Sequence, residues 1–569
     1  MKQQRGLQVE QSTASGRRML TSRYSRRRAL GVGASLAGAS LTAALVGCAA
    51  DDGDATSTPA GGTGSATTEP GSSGDGAIKT GGMLSQAVAT DIPHMDPHTE
   101  TYPAGFLVAL VHAGLLRFAP SDDPRELIPE SYLAESVEYS DPQTVVVTLR
   151  ENVHFHDDDI VAGRAVTAED VKFSIERIKT DEPEFQRRSF FTAVNEVTVV
   201  DERTAQINLS EPFAPLMTYL ADTWNVIIPR ELVERDGDMR ESAVGAGPFR
   251  LTRHQPGTGM EFERNPNFFL EGRPYVDGVR IPILPDAAAI LSAFQSKQTN
   301  FVRNINWADV PRFESDDAYK VGGYPDQSLQ YVRLNLDVEP LGDERVRQAI
   351  SYAIDREEVV ATAFQGRGAV SGIFPHALRW AVPADDLPHY QYDPQEAIAL
   401  LSAAGFGDGL VLENLRPATV GGLQQAETDV VSDQLARIGV TVEHRMLEYG
   451  AYLQAAFSRE FQINIHYGNR YDDPDGYAAE YIQDGGRNFG SWGSDELDAL
   501  IYAQRGALDE DERGDLFRQI QENLATEMYN VGLANWETVD GWSSALQNFG
   551  TSDHWFQSTQ RFSEAWLSV

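Results

Sequence analysis

The sequence predicts an α/β protein of more than one lobe, on three observations. Segments with strand and helix patterning alternate from Met83 onward. The chain has 569 residues, enough to bury a large core and too many for a single one. Its one cysteine, Cys48, excludes an intrachain disulfide, so apolar burial must supply the stability.

The first segment is not part of that core. Residues 1–47 carry eight basic side chains and one acid, Glu10. Ser25-Arg26-Arg27 with Leu30 resembles a twin-arginine export signal, although Ala29 stands where a bulky apolar residue is usual. Ala29 to Gly47 is uncharged and rich in Ala, Gly and Ser, and ends in Leu45-Val46-Gly47-Cys48, which resembles a bacterial lipobox. In that reading a signal peptidase cuts before Cys48, and its thiol becomes a lipid thioether. A run of about 20 apolar residues can also span a bilayer. Gly and Ser weaken that alternative, and it leaves the place of the sole cysteine to chance. Residues 1–47 are therefore read as a signal peptide, and residues 48–82 as a lipid anchor with a flexible Gly/Ser/Thr/Pro-rich tether.

Met83 to Ala89 reads as a strand, and Ala104 to Leu116 as a buried helix. Thr144 to Arg150 alternates Thr and Val and is a strand; Val153 to His156 reads as a second, turning at Asp157-Asp158-Asp159. Thr167 with Asp170 forms a capping-box pattern before a helix whose inward face is Val171, Ser174, Ile175 and Ile178. Val194 to Leu209 is a hairpin turning at Asp201-Glu202. Gly245 to Leu251, Met260 to Glu263 and Tyr331 to Leu336 are strands, and Arg345 to Ile354 is an amphipathic helix. Asp355 with Glu358 can cap the helix that follows. Asp393-Pro394-Gln395-Glu396 starts a helix that stops at Gly405. Thr428 to Ile438 is helical, stops at Gly439 and leads into the strand Val440 to Leu447. Asp495 to Arg505 and Asp511 to Met528 are late helices, and no internal repeat is present.

The formal charge is −37, and removing residues 1–47 with their excess of seven positive charges leaves −44. There are only six lysines. Such a chain does not bind nucleic acid or an anionic bilayer through a basic surface. Scarce Lys among many acids suits a high-salt medium, where screening lengths shrink to about 3 Å near 1 M salt. It equally suits an ordinary acidic secreted protein.

Five blocks in order then resemble the extracellular solute-binding proteins of peptide- and nickel-type ABC importers, family 5. LIPESYLAESVE followed by TVVVTLRENVHFHDDDIVAGRAVTAEDVKFSIERI is the most diagnostic. GAGPFRLTRHQPGTGMEFERNPNFF and RVRQAISYAIDREEVVATAFQGRG follow. YDPQEAIALLSAAGF and NFGSWGSDELDALI complete the set. The resemblance implies a two-lobed, periplasmic-binding-protein-like type II fold with an extra small inserted domain. Carried over, lobe one is 83–125, 241–330 and 546–569, the inserted domain 126–240 and lobe two 331–545. It implies a ligand held between the lobes, most directly an oligopeptide or dipeptide, and delivery by a monomer to a membrane permease. A sugar, opine or metal chelate bound in the same way, or a surface receptor or structural lipoprotein, are the alternatives. Localisation on the outer face of the cytoplasmic membrane through Cys48 follows from the lipobox.

No catalytic set is present: G-x-S-x-G and H-E-x-x-H are absent, and the sole cysteine is the lipidation candidate. No cofactor is implied. His154-x-His156 with Asp157, Asp158 and Asp159 has metal-like spacing, but the family pattern there is a structural turn, with Asp158 replacing its usual Gly. Asp472-Asp473-Pro474-Asp475-Gly476 resembles part of a calcium loop without the distal Glu, and in the family is a pocket loop. No metal site is therefore expected. Peptide-binding relatives often carry an Asp that receives the ligand's α-amino group at the position filled here by Arg470. A guanidinium suits a carboxylate, phosphate or carbonyl-rich ligand instead, unless neighbouring acids engage it. The resemblance places Tyr102, Trp307, Tyr467, Tyr471 and Trp492 near the cleft as stacking candidates, with Arg470 and Asp473 in the pocket loop.

Overall fold

Burial on both faces makes Gln330–Leu334 an interior strand of one half of the molecule: all five of its residues are buried. The computed structural model describes residues 78–99, 104–121, 127–182, 184–550 and 557–568; Cys48 and the rest of the leader lie outside them. Around Gln330–Leu334 a five-stranded sheet runs in the order Val440–Leu447, Leu410–Pro417, Ile463–Tyr467, Gln330–Leu334, Asn530–Gly532. Its first three strands pair in parallel, the rest antiparallel. Helices cover it and close an apolar core that includes Val332, Ile350, Leu412, Val431, Ile463 and Leu524. This is lobe two.

A second core joins lobe one to the inserted domain without a break: Leu84, Phe106, Val145, Ile207, Phe249 and Phe262 all belong to it. In lobe one, Met83–Ser85 pairs in parallel with Gly278–Pro282, followed by Gly259–Arg264 and Phe249–Gln255. In the inserted domain an antiparallel sheet runs Ala134–Asp141, Thr144–Leu149, Thr204–Leu209, Val194–Val199. Thr144–Leu149 shows why it forms: Val145, Val147 and Leu149 are fully buried while the residues between them are half-buried. Helix Ala168–Ile178 packs on this sheet, and Asp170 Oδ2 accepts from the Thr167 amide at 2.9 Å.

The cores are bridged by two passages of chain. Residues 326–329 lead from the strand Tyr319–Pro325 into lobe two, and Leu533 leads back into Ala534–Ser543. Ala534–Ser543 pairs with Phe301–Val302 and Tyr319–Pro325 on the lobe-one side, so the chain returns before residue 546, where the sequence partition placed the boundary. The passages are tied together: Asp326 N donates to Trp536 O at 2.9 Å, Leu533 N to Gln330 O at 3.0 Å and Asn535 Nδ2 to Ser328 O at 2.6 Å.

Three other expectations differ from the structure. Val153–His156 is not a strand but a loop with one bridge, His154 to Ala165. His154 Nδ1 and Gly163 O lie 3.0 Å apart, and His156 Nε2 and Gly247 O 2.9 Å apart, so backbone carbonyls hold both rings. The helix expected at Ala104–Leu116 ends at Val111 and gives way to the strand Leu116–Phe118. The helix expected from Thr428 begins at Gly422, which matters for the cleft.

Several buried groups tie stability to pH. Burial pushes Glu427 up to about 8, and among the described residues neither of its carboxyl oxygens has a hydrogen-bond partner. Burial pushes His98, His112 and His156 down to about 4, 3 and 4. An unfolded Glu releases its proton near 4.5, so the folded state holds a proton the unfolded chain has lost from there up to about 8. Stability is lost as pH rises through that window. The histidines act the other way, weakening the fold as pH falls below 6.5. Between pH 6.5 and 8 only the Glu427 effect operates among these four. The urea midpoint should fall across that interval in the wild type and stay nearly level in Glu427→Gln; parallel profiles would refute this assignment.

Candidate functional site

Lobe one and lobe two face each other across a cavity of about 800 Å³. Its lobe-one wall is the segment 303–307 that follows the short strand Phe301–Val302, with Tyr324. Trp307 is half-buried there, its Nε1 donating to Glu537 O at 3.0 Å, which fixes the indole against the returning chain. Arg303 Nη2 donates to Tyr324 Oη at 3.1 Å. Behind them Asp540 is fully buried and accepts from the Asn304 amide at 3.0 Å. Burial pushes its carboxyl up to about 6 against the pull of Arg303. The floor is the pair of passages between lobes, contributing Asp326, Ser328 and Trp536–Val539. Arg367 pairs with Glu537 at 3.0 Å, joining lobe two to that floor.

The lobe-two wall is built from Ala363, Gln365, Arg470 and the first turn of helix Gly422–Arg437. A Cβ placed on Gly422 meets nothing within 4 Å, so this glycine leaves volume to the cavity rather than avoiding a clash. The helix presents its amide end to the same space, which adds positive potential. Arg470 and Trp307, singled out from the sequence, thus meet on opposite walls of one cavity.

Arg470 also lines a smaller recess of about 260 Å³ between lobe two and the inserted domain. Tyr471 borders this recess, not the larger cavity. It is buried, its hydroxyl donating to Glu480 Oε1 at 3.1 Å and accepting from Asn469 Nδ2 at 3.0 Å. Burial, with Glu480 beside it, holds the phenol well above its usual range.

Two expectations are corrected. Asp473 does not face ligand space in either cavity: it is 1% exposed, caps helix Pro474–Ala478 through the Asp475 amide at 2.8 Å and is gripped by Arg513 at 2.5 and 3.1 Å. Asp475 is fastened in the same way by Arg505 and Gln504 and accepts from Tyr219 Oη of the inserted domain at 3.1 Å. The acid-rich loop is a set of buried fasteners, and breaking one such pair leaves an uncompensated buried charge worth about 3–5 kcal/mol. Trp492 is 1% exposed within the lobe-two core, its Nε1 donating to Leu334 O at 2.8 Å; an indole so enclosed has no face left for a ligand. Tyr102 lies outside the described residues. Tyr467 ends the strand Ile463–Tyr467, and its side chain is likewise outside them.

Sequence reasoning missed Arg303, Gln365, Gly422 and Trp536. Gln365 lies in the block RVRQAISYAIDREEVVATAFQGRG but is not conspicuous within it, and the other three sit in no local motif; only the meeting of four distant segments makes them neighbours. Among the described residues no group of three or more His, Cys, Asp or Glu is arranged to hold a metal, and no helix is long and apolar enough to cross a membrane.

A profile described as "Bacterial extracellular solute-binding proteins, family 5 Middle" matches residues 129–489. The dipeptide-binding protein of Escherichia coli (strain K12) is 28% identical over 426 residues, covering 70% of this chain and 78% of that one. HbpA2 from Haemophilus parasuis superposes with a TM-score of 0.75 at 22% identity, over 86% of this chain and all of that one. The periplasmic binding protein DppA from Helicobacter pylori, solved with the peptide STSA, gives a TM-score of 0.71 at 21% identity, over 86% of this chain and 99% of that one. These likenesses establish the type II periplasmic-binding-protein fold.

Proposed function

The chain belongs to the bacterial extracellular solute-binding proteins of family 5, and from that premise we propose that it captures a small peptide-like solute outside the cell and hands it to an ABC importer. One observation carries the reading: a single cavity of about 800 Å³ takes its walls from both lobes, so one ligand can contact both and favour their closure. The E. coli dipeptide-binding relative supports peptides as the solute class. No chemistry on the ligand is proposed, and the protein acts as a monomer with a permease as partner. The working partition is lobe one from 83 and again from 241, the inserted domain at 126–240 and lobe two from 331.

The leader fits the same role. Export on a twin-arginine signal and lipidation of Cys48 in Leu45-Val46-Gly47-Cys48 would tether the binding domain outside the membrane. Cys48→Ser should release the protein into the medium or leave it unprocessed, as fractionation of expressing cells would reveal. Normal membrane retention of that variant would dismiss the anchor.

The preferred ligand lacks a free amino group beside Arg470. An ammonium there would meet a guanidinium and a helix amide end, whereas a carbonyl or carboxylate would gain charge-assisted hydrogen bonds. Hydrogen bonds to charged groups contribute about 1.5–3 kcal/mol, roughly one to two decades in affinity. Calorimetric titration of matched short peptides, acetylated against amino-free, should favour the acetylated form, and Arg470→Ala should weaken it about 10- to 100-fold. Tight binding of the amino-free form, unchanged in Arg470→Ala, would show that Arg470 serves only its acidic neighbours.

A further inference from the structure

The inserted domain rides with lobe one, since one continuous core joins them, yet it also touches lobe two. At that junction the two large cores stay separate: Tyr219 belongs to the first, Tyr477 and Ile501 to the second. Hydrogen bonds cross it instead. Tyr219 Oη donates to Asp475 Oδ2 at 3.1 Å, the Ala214 amide to Arg505 O at 2.7 Å, and Arg487 Nη2 to Ser189 Oγ at 3.1 Å. Each half of the Tyr219–Asp475 pair is set by its own side. Phe190 of the inserted domain stacks on the Tyr219 ring, with centroids 4.4 Å apart and planes 7° from parallel. Asp475 accepts from Gln504 at 2.5 Å and from Arg505 at 2.6 and 3.2 Å, all within lobe two. Burial, with Asp475 beside it, holds the Tyr219 phenol well above its usual range, so it keeps the proton it donates. Partners fixed in this way can separate and meet again without either side rearranging. When they separate, Asp475 still has its charge-assisted bonds to Arg505.

We propose that the inserted domain latches the closed cleft, through Tyr219 on Asp475 and Ser189 on Arg487, and that release of these bonds gates ligand escape. The passages at 326–329 and 533 are the covalent links between the two large cores. A rotation about them that opens the 800 Å³ cavity carries the inserted domain away from lobe two, because the domain moves with lobe one. The open state then lacks bonds that the closed state has, so the latch raises the closed fraction. A ligand that binds the closed state gains apparent affinity in proportion to that fraction. Neither Ser189 nor Asp475 lines the cavity or the smaller recess, so the effect needs no contact with the ligand. The latch rests on the cleft reading given above and adds to it a part for the inserted domain, which is retention.

The test uses Tyr219→Phe, which keeps the stacked ring and leaves Asp475 with Arg505 and Gln504, and Ser189→Ala at an exposed position. Spin labels on two exposed positions, Glu196→Cys in the inserted domain and Asp429→Cys in lobe two, report the separation without ligand in a Cys48→Ser background. Against the same labelled protein with the latch intact, Tyr219→Phe should lower the odds of the short distance about tenfold and Ser189→Ala about threefold, as loss of a hydrogen bond to a charged group predicts. Release of a bound N-acetylated short-peptide mixture, followed by stopped flow, should quicken by similar factors. Far-UV circular dichroism checks that each variant is folded, and Ser189→Ala, on the surface, carries the test if Tyr219→Phe is not. Distances and release rates that match the intact protein in the folded variants would overturn the latch and leave the cleft reading standing. A protein that binds none of the mixture would overturn the peptide reading, and the ligand-free distances would still decide the latch.

Discussion

The structure depends on the pair of chain passages between its two large cores. Each core is closed by its own sheet and helices, so neither needs the other for burial. The passages at 326–330 and 533–536 are held to one another by Asp326 N to Trp536 O, Leu533 N to Gln330 O and Asn535 Nδ2 to Ser328 O. Bonded in this way they form a narrow ribbon, and a rotation of one lobe on the other needs backbone changes at only a few residues. They are also the floor of the cavity, through Asp326, Ser328 and Trp536. A ligand seated there would lie against both passages.

Arginine has two uses in this strongly acidic chain. Arg303 and Arg470 stand on facing walls, and Arg187 and Arg487 line the adjoining recess. Away from the cleft, arginine serves burial. Arg513 neutralises Asp473, Arg505 binds Asp475, and Arg177 holds Asp96 well below the usual carboxylate range, to about 2. With six lysines in the sequence, nearly all of this work falls to a side chain that stays charged when enclosed and can bind both oxygens of a carboxylate. The same chemistry makes a fastener in a closed loop and a receptor in an open cleft. Whether the space around the arginine is filled decides which.

That distinction was out of reach of the sequence at Asp473 and Trp492. Both stand in blocks that the family places near the cleft, and both prove enclosed, because a partner some 40 residues downstream for Asp473 and a core far upstream for Trp492 decide their exposure. Local rules succeeded where local physics rules. The alternation in Thr144–Leu149 gave a correctly oriented strand, and Asp393 caps its helix through the amides of Gln395 and Glu396, both at 3.0 Å. They failed where backbone rather than side chain sets the boundary. The helix at the cleft starts at Gly422 with no side-chain cap, so no polar residue marked its start, and its cavity-lining turn went unread. Arg470 was legible because its oddity is relative to a pattern, and Trp307 because an indole is conspicuous. Arg303 and Arg187 had neither advantage in a sequence rich in arginine.

The central claim is that one ligand draws the two lobes together about the ribbon. The direct measurement is the spin–spin distance between labels on exposed positions of opposite lobes, Glu314→Cys and Asp429→Cys, with Cys48→Ser removing the native thiol. On addition of an N-acetylated peptide mixture at saturation, the distance distribution should shorten and narrow. An unchanged distribution, with binding of the same mixture established by calorimetry, would contradict the account.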